Sequence, residues 1–169
     1  MKLFISILLV FISCNLFAAE GIKTGAEQIE KYLPLLKGKR VAVVANPTSV
    51  IGKTSLVDSL LSLQIKVVKI FGPEHGFRGT ASAGAVVSDS TDAKTGIPEI
   101  SLYGKKSKPS KADLADVDLV VFDIQDVGAR FYTYINLLAH IMESCAENNK
   151  ELLLLDRPNP NGNCIDGPI

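Results

Sequence analysis

The residues of this sequence that are best suited to chemistry follow an apolar run at positions 119–122. They comprise acids, an amide, a guanidinium and phenols: Asp123, Gln125, Asp126, Arg130, Tyr132 and Tyr134. Open α/β sheets build their sites from side chains that leave the carboxyl end of a buried strand. The structural alternative is a buried strand followed by a polar loop that starts a helix. We favour a site, because acidic residues are rarely placed beside such runs without a partner.

Alternating strands and helices are predicted to position these side chains. Apolar, β-branched runs predict buried strands at 41–45, 65–71, 119–122 and 152–155, with a further short strand at 97–102. Strands that alternate with helices indicate an α/β fold, a parallel sheet with helices on both faces. All strand-to-helix loops of such a sheet emerge at one edge. The residues expected to meet there are Asn46, Glu74, His75, Asp123, Asp126, Arg130 and Asp156.

Four helices are predicted between the strands. Thr24 and Glu27 form a capping-box pattern for the first, which Pro34 and Gly38 are expected to end, and Thr54 is predicted to cap the second. A third is predicted over 109–114, and residues 80–95 are predicted to form a loop at the rim of the site. In the fourth, helical spacing predicts a buried stripe and leaves His140 on the exposed face. That stripe is Phe131, Ile135, Leu138, Met142 and Cys145.

Five motifs carry a resemblance to a known family. They are VANPTSV, FGPEHGFRG, TGIPEISLYGKKSKPS, DLVVFDIQDVGARFYTYINLL and LLLLDRPNPNG, and they span roughly residues 20–169. In order and spacing they resemble the exo-β-N-acetylmuramidases of peptidoglycan recycling, formerly a family of unknown function. The resemblance implies a Rossmann-like N-terminal domain, a smaller C-terminal domain and an active site between them. Family members are considerably longer, so we expect this chain to hold an incomplete N-terminal catalytic domain at 20–169.

The activity implied by the resemblance is a hydrolase that releases terminal N-acetylmuramic acid from the non-reducing end of peptidoglycan fragments. Such a reaction needs an acid that protonates the departing oxygen and a group that stabilises or attacks the sugar carbon. Glu74 is the preferred acid. Its alternative role is structural, with its carboxylate holding the loop in place. His75 is placed to donate to a sugar hydroxyl or to tune Glu74, or to make a structural hydrogen bond. Asp123, Asp126 and the acetamido group of the sugar remain alternatives for the second role.

The expected ligands are muramyl saccharides, whose lactyl carboxylate calls for a fixed cation. Arginine binds carboxylates bidentately, and the candidates in order are Arg130, Arg78 and Arg157. Each could instead pair with a nearby aspartate, most obviously Arg157 with Asp156. The remaining predicted substrate-binding residues are Asn46, Gln125, Tyr132, Tyr134, Asp156 and Asn159. The tyrosines could stack on a sugar or pack at the helix start, and the asparagines suit sugar hydroxyls or turns.

The first 19 residues predict a secretory signal, with Lys2 before a short apolar stretch at 3–12 and small residues at Ala18 and Ala19. The apolar stretch is too short for a stable membrane span. Cys14 lies in a loose lipoprotein-box pattern, so lipid anchoring is the alternative. In either case the protein is expected to be periplasmic or secreted, with no membrane span in the mature chain.

Other classes of function have little support. Eighteen basic and 18 acidic side chains give no net charge and no electrostatic reason to expect nucleic acid as a partner. The three cysteines and two histidines have no metal-site spacing, and no cofactor is predicted. Gly52-Lys53-Thr54 lacks the first glycine of a phosphate-binding loop. The absence of a Gly-x-Ser-x-Gly motif argues against an esterase. The alternative to the hydrolase is a non-catalytic module that binds peptidoglycan fragments, or an inactive fragment.

Overall fold

A six-stranded, mostly parallel sheet forms the centre of the molecule. The computed structural model describes residues 21–79, 88–104, 106–165 and 167, so the predicted signal lies outside the described residues. The helices are α1 (Ile29–Leu36), α2 (Leu56–Ser62) and α3 (Tyr134–Glu147). The strands are β1 (Arg40–Ala45), β2 (Val50–Ile51), β3 (Thr54–Ser55), β4 (Lys66–Gly72), β5 (Ser90–Thr91), β6 (Pro98–Ser101), β7 (Leu119–Asp123) and β8 (Glu151–Leu154).

The strand order is β5-β6-β4-β1-β7-β8, and β2 and β3 form a separate hairpin. Strands β6, β4, β1, β7 and β8 run parallel, and only β5 pairs antiparallel, at one edge. Strand β5 lies within the predicted loop at 80–95, of which residues 80–87 are outside the described residues. All five predicted strands are present, so the predicted α/β, Rossmann-like sheet is confirmed.

Both faces of the sheet are buried, which explains the uninterrupted apolar runs. Side chains alternate between the faces of a strand. In β1, Val41 and Val43 therefore join the apolar layer that contains α1 and α2, whereas Ala42 and Val44 join the layer that contains α3. The predicted cover of helices on both faces is confirmed. This arrangement leaves the carboxyl edge of the sheet free to carry the polar loops.

Three predicted details of the helices differ from the structure. The Thr24 capping box is present, but it caps a short 3-10 turn, and α1 starts at Ile29 and includes Pro34. Helix α2 begins after Ser55, because Thr54 belongs to the β2–β3 hairpin. Residues 111–116 form consecutive turns instead of the predicted helix.

The predicted buried stripe of α3 is wrong in its phase. Phe131 precedes the helix and is 83% exposed, and Ile135 and Met142 are more than half exposed. The face that packs on the sheet contains Leu137 and Ile141 instead, together with Cys145 and the half-buried Leu138 of the predicted stripe. Because the buried face of α3 differs from the predicted one, His140 does not lie on a fully exposed face but lines a cavity at the carboxyl edge of the sheet.

Candidate functional site

The loops that carry the predicted residues share one edge of the sheet. Strand β1 lies between β4 and β7, and β8 follows β7, so the loops after these four parallel strands start side by side. The carboxyl ends of these strands and the loops after them supply Asn46, Glu74, Asp123 and Asp156 respectively. The gathering of loops that the sequence predicts is therefore present in the fold.

Glu74 lines a cavity of about 270 Å³ on the α3 face of this edge. The cavity is also lined by Tyr103 and Gly104 after β6, and by Tyr134, Asn136 and His140 from the first half of α3. A hydrogen bond joins the Tyr103 hydroxyl to the Glu74 carboxylate, and this bond raises the pKa of Tyr103. The bond from Tyr103 positions the Glu74 carboxyl group. Because Glu74 is only half-buried, a ligand can reach that group.

A tight turn after β4 sets the position of Glu74. Gly76 donates its amide hydrogen to the Pro73 carbonyl at 2.9 Å, and the Phe77 amide donates to the buried Glu99 carboxylate at 2.7 Å. His75 has a φ of +73°, which a non-glycine residue rarely adopts and which functional sites often contain. The turn is thus held on two sides, and His75 is half-buried beside Glu74.

Asp123 is fully buried at the end of β7 and is paired with Arg157. The Arg157 Nε and Nη2 atoms donate to its two carboxylate oxygens at 2.6 and 2.9 Å, and Nη2 also donates to the Val50 carbonyl at 3.0 Å. Burial raises the pKa of Asp123, and the bonds from Arg157 oppose that effect. With both oxygens occupied, Asp123 joins three loops together and presents no surface to a ligand.

Asn46 and Gln125 make a second set of bonds between the same loops. The Asn46 side-chain oxygen accepts from the Thr48 amide at 2.9 Å and from its hydroxyl. That hydroxyl in turn accepts from the Gln125 amide at 3.0 Å. The Gln125 side chain donates to the Pro158 carbonyl at 2.9 Å. Asn46 is 3% exposed, so it contributes mainly to the shape of the site, and its small exposed part lines a cavity that it shares with Arg78.

Asp126 is the more accessible aspartate of the β7 loop. It is half-buried, and its Oδ2 accepts from the Gly128 amide at 3.0 Å. It lines a cavity of about 210 Å³ together with Asp156, Arg157 and Tyr134. Tyr134 also lines the Glu74 cavity, so this residue borders both cavities.

Three aromatic residues, joined by two ring contacts, lie beside these cavities. The ring centroids of Phe131 and Tyr132 are 5.2 Å apart, and those of Tyr132 and Tyr134 are 6.3 Å apart. Tyr132 is 42% exposed, so its ring is open to a ligand. Arg130 lines a further cavity of about 670 Å³ next to Phe131.

Arg78 lies on the other face of the sheet edge and is held by two aspartates. Its guanidinium binds Asp92 at 2.6 and 2.8 Å and Asp58 at 3.1 Å, and it stacks on the Phe77 ring at 4.6 Å. The hydrogen bonds from Arg78 lower the pKa of Asp92 to about 2. Arg78 lines a cavity of about 430 Å³, separate from that of Glu74.

The loop after β8 completes the edge. The Asn159 side chain packs directly against Gly128, whose φ of +66° and lack of a side chain permit the contact. The Asp156 carbonyl accepts from the Gly25 amide at 2.6 Å, which ties this loop to the start of the fold. Asp156 and Asn159 are both exposed.

The sequence interpretation missed four residues of the Glu74 site. Tyr103 bonds to Glu74, and Glu99 holds the turn that carries it. Asn136 and His140 line its cavity. Tyr103 and Glu99 fall within a motif that the resemblance already contained. His140 was set aside because of the error in the phase of α3. Within the described residues there is no group of three or more residues able to hold a metal ion and no helix long and apolar enough to cross a membrane.

Comparisons with known proteins agree on one group of relatives. A family model described as exo-beta-N-acetylmuramidase NamZ, N-terminal, matches residues 41–169. The peptidoglycan beta-N-acetylmuramidase NamZ of Bacillus subtilis (strain 168) is 49% identical over 154 residues, which are 88% of this chain and 37% of that protein. A crystal structure of a DUF1343 family protein from Bacteroides fragilis NCTC 9343 aligns with a TM-score of 0.75 at 47% identity, covering 86% of this chain and 37% of its own. A second such structure from the same organism aligns with a TM-score of 0.75 at 45% identity, covering 83% and 35%.

Proposed function

Because the chain belongs to the exo-β-N-acetylmuramidase family, whose N-terminal part it matches, we propose that it carries the acid of a glycoside hydrolase. The proposed reaction releases terminal N-acetylmuramic acid from the non-reducing end of peptidoglycan fragments. The observation that carries this proposal is the Glu74 carboxyl group, half-buried in a cavity and bonded to Tyr103 at the carboxyl edge of the sheet. The chain spans 37% of the length of the Bacillus subtilis relative.

Glu74 is the residue proposed to protonate the glycosidic oxygen. An acid in this role needs a fixed position within hydrogen-bond reach of the leaving group. The doubly held turn after β4 and the bond from Tyr103 support such a position. As the C–O bond breaks, positive charge develops on the sugar carbon, and a carboxylate or the acetamido group of the sugar compensates it. Of the two aspartates, the accessible Asp126 suits that role better than the enclosed Asp123.

The sugar is proposed to lie along the exposed aromatic residues. Tyr132 and Tyr134 supply a ring face and a hydroxyl next to the Glu74 cavity. Arg130 is exposed and lines the cavity next to Phe131, and it is the proposed cation for the lactyl carboxylate. Arg78 and Arg157 are each bound to aspartates. Asn46 and Gln125 support this surface from below, and Asp156 and Asn159 form its rim.

Turnover of a chromogenic N-acetylmuramic acid glycoside tests the proposal. We expect hydrolysis by the wild-type chain and a loss of at least about 100-fold in kcat for Glu74→Gln, since a positioned acid contributes about 10²–10⁴-fold. Binding of free N-acetylmuramic acid by that variant should remain. Glu143→Gln, which alters an exposed carboxylate on α3, is the matched control and should leave turnover unchanged. Full turnover by Glu74→Gln would refute the assignment of the acid.

A second candidate function is a module that binds peptidoglycan fragments without cleaving them. It is favoured by the exposed ring of Tyr132, which contacts Tyr134 at the Glu74 cavity and would suit sugar binding without cleavage. The same assay separates the two functions. Binding of N-acetylmuramic acid without turnover by the wild-type chain would support the module, whereas turnover would support the enzyme.

We also propose that the protein acts outside the cytoplasm, as the signal-like sequence at 1–19 suggests. Fractionation of cells that express the chain should place it in the periplasm or medium. Membrane association that is lost in Cys14→Ser would indicate lipid anchoring instead. Recovery of the uncleaved chain in the cytoplasm would refute this proposal.

A further inference from the structure

We propose that the Glu74 cavity contains a subsite for the acetamido group of the sugar, formed by Asn136 and His140 of α3. This inference rests on the proposed function, because it assigns one substituent of the substrate to one part of that site. Both residues line the cavity that contains Glu74. They are four positions apart on one helix, so their side chains lie next to each other on the same face.

The hydrogen bond of His140 fixes what its ring can offer to a ligand. Its Nδ1 lies 3.2 Å from the Ser107 carbonyl oxygen. A carbonyl oxygen can only accept, so Nδ1 must carry the hydrogen. In the neutral ring, Nε2 is then an acceptor. Because Ser107 also lines the cavity, this bond holds the ring at the cavity wall.

Asn136 complements His140 chemically. Its side-chain amide has both a donor and an acceptor, and it makes no hydrogen bond with the residues that the structure describes. Asn136 is exposed on the first turn of α3, so a ligand can reach the amide without displacing the helix. The pair therefore offers one acceptor and one donor at a fixed separation along the helix.

The apolar part of the same wall completes the match. Leu102 and Leu137 line the cavity and are 6% and 8% exposed. An acetamido group has an N–H donor, a carbonyl acceptor and a methyl group. The His140 Nε2 accepts from its N–H, the Asn136 amide donates to its carbonyl, and the two leucines contact its methyl. A sugar hydroxyl would satisfy only part of this surface.

Binding of two sugars that differ only in this substituent tests the subsite. Dissociation constants are measured by calorimetry for N-acetylmuramic acid and for 3-O-lactylglucose, in which a hydroxyl replaces the acetamido group. For the wild-type chain we expect tighter binding of the acetamido sugar. His140→Phe and Asn136→Ala should each reduce that preference by about two- to tenfold, the value of one neutral hydrogen bond. Their affinity for 3-O-lactylglucose should fall by less, since its hydroxyl meets only part of the same surface.

Three further variants sharpen the comparison. His140→Gln retains an acceptor and should restore part of the preference that His140→Phe loses. Met142→Leu alters an exposed residue of the same helix outside the cavity and should behave as the wild type. Glu74→Gln should also keep the preference, since the acetamido contacts are made by other residues. Circular dichroism of each variant verifies that the fold is intact.

The outcomes distinguish the subsite from the function on which it rests. Equal weakening of both sugars by His140→Phe and Asn136→Ala, or an unchanged preference, would overturn the subsite. Binding of both sugars by the wild type without preference would also overturn the subsite and leave the muramyl site in place. Binding of neither sugar would overturn the proposed function and the subsite together.

Discussion

At the scale of single residues, the pair of Asp123 and Arg157 is the main fixed point of the site. Their side chains are 0% and 7% exposed, and their contact is bidentate. Removing one partner from a buried pair leaves an uncompensated charge, which costs about 3–5 kcal/mol. We therefore predict that Asp123→Asn lowers the free energy of unfolding by about that amount in urea denaturation.

A double substitution serves as the control for this prediction. Asp123→Leu combined with Arg157→Met removes both charges and should recover much of the loss, because replacing a buried pair by apolar residues is often neutral. A cost below about 1 kcal/mol for Asp123→Asn alone would show that the pair is open to water, as exposed pairs contribute no more than this.

Asp92 makes the stability of the fold depend on pH. The pKa of its carboxyl is lowered from 3.8 to about 2 in the folded chain, chiefly by the hydrogen bonds from Arg78. The unfolded chain therefore binds the proton more tightly, so protonation favours unfolding. The stabilisation, about 2 kcal/mol, is complete above the unfolded pKa and is lost as the pH falls through about 2.

Asp92→Asn tests this dependence. The difference in unfolding free energy between wild type and variant should shrink by about 2 kcal/mol between pH 5 and pH 2. Glu143→Gln changes an exposed carboxylate and should follow the wild type. Parallel pH profiles for the wild type and Asp92→Asn would show that Asp92 does not contribute in this way.

The types of side chain at the site could be predicted from the sequence, but the residues with which they form ion pairs could not. The sequence suggests that the Arg157 guanidinium could pair with an aspartate, and its neighbour Asp156 is the obvious candidate. In the structure Arg157 pairs with Asp123, 34 positions earlier, because β7 and β8 are adjacent and parallel. Such a pairing depends on strand order, which the apolar pattern of a single strand does not contain.

At the scale of elements, α3 shows where periodicity fails. Two sets of apolar residues, one starting at Phe131 and one at Leu137, share helical spacing. The second packs on the sheet, whereas Phe131, Ile135 and Met142 of the first are exposed. The exposed set includes Phe131, which lies before the helix. Strands were easier to predict than this helix, because strands buried on both faces are apolar throughout.

Two neighbouring substitutions test the phase of α3. Ile141 is fully buried and Met142 is 56% exposed. We predict that Ile141→Ala lowers the free energy of unfolding by about 2–5 kcal/mol, the usual cost of such a cavity. Met142→Ala should change it by no more than about 0.5 kcal/mol. The reverse order would support the stripe predicted from the sequence and would move His140 away from the cavity.

At the scale of the whole molecule, the fold class and the edge that carries the site were predictable, whereas the cavities were not. Continuous β-branched runs identify a doubly covered sheet, and a parallel sheet collects its loops at one edge. The separation of Glu74 and Arg78 onto opposite faces depends on the turn that Glu99 holds after β4. A single sequence gives no signal for that bond, because Glu99 lies on a different strand.

The most direct test of the central claim, that Glu74 protonates the leaving oxygen, uses two leaving groups. Residues 41–169 replace the matching part of the Bacillus subtilis relative, and the hybrid carries Glu74 or Glu74→Ala. A 2,4-dinitrophenyl group departs without protonation, whereas a sugar leaving group needs it. We predict that Glu74→Ala retains cleavage of the dinitrophenyl glycoside and loses at least about 100-fold in kcat on the disaccharide. Equal losses on both substrates would contradict the role of Glu74 as the acid.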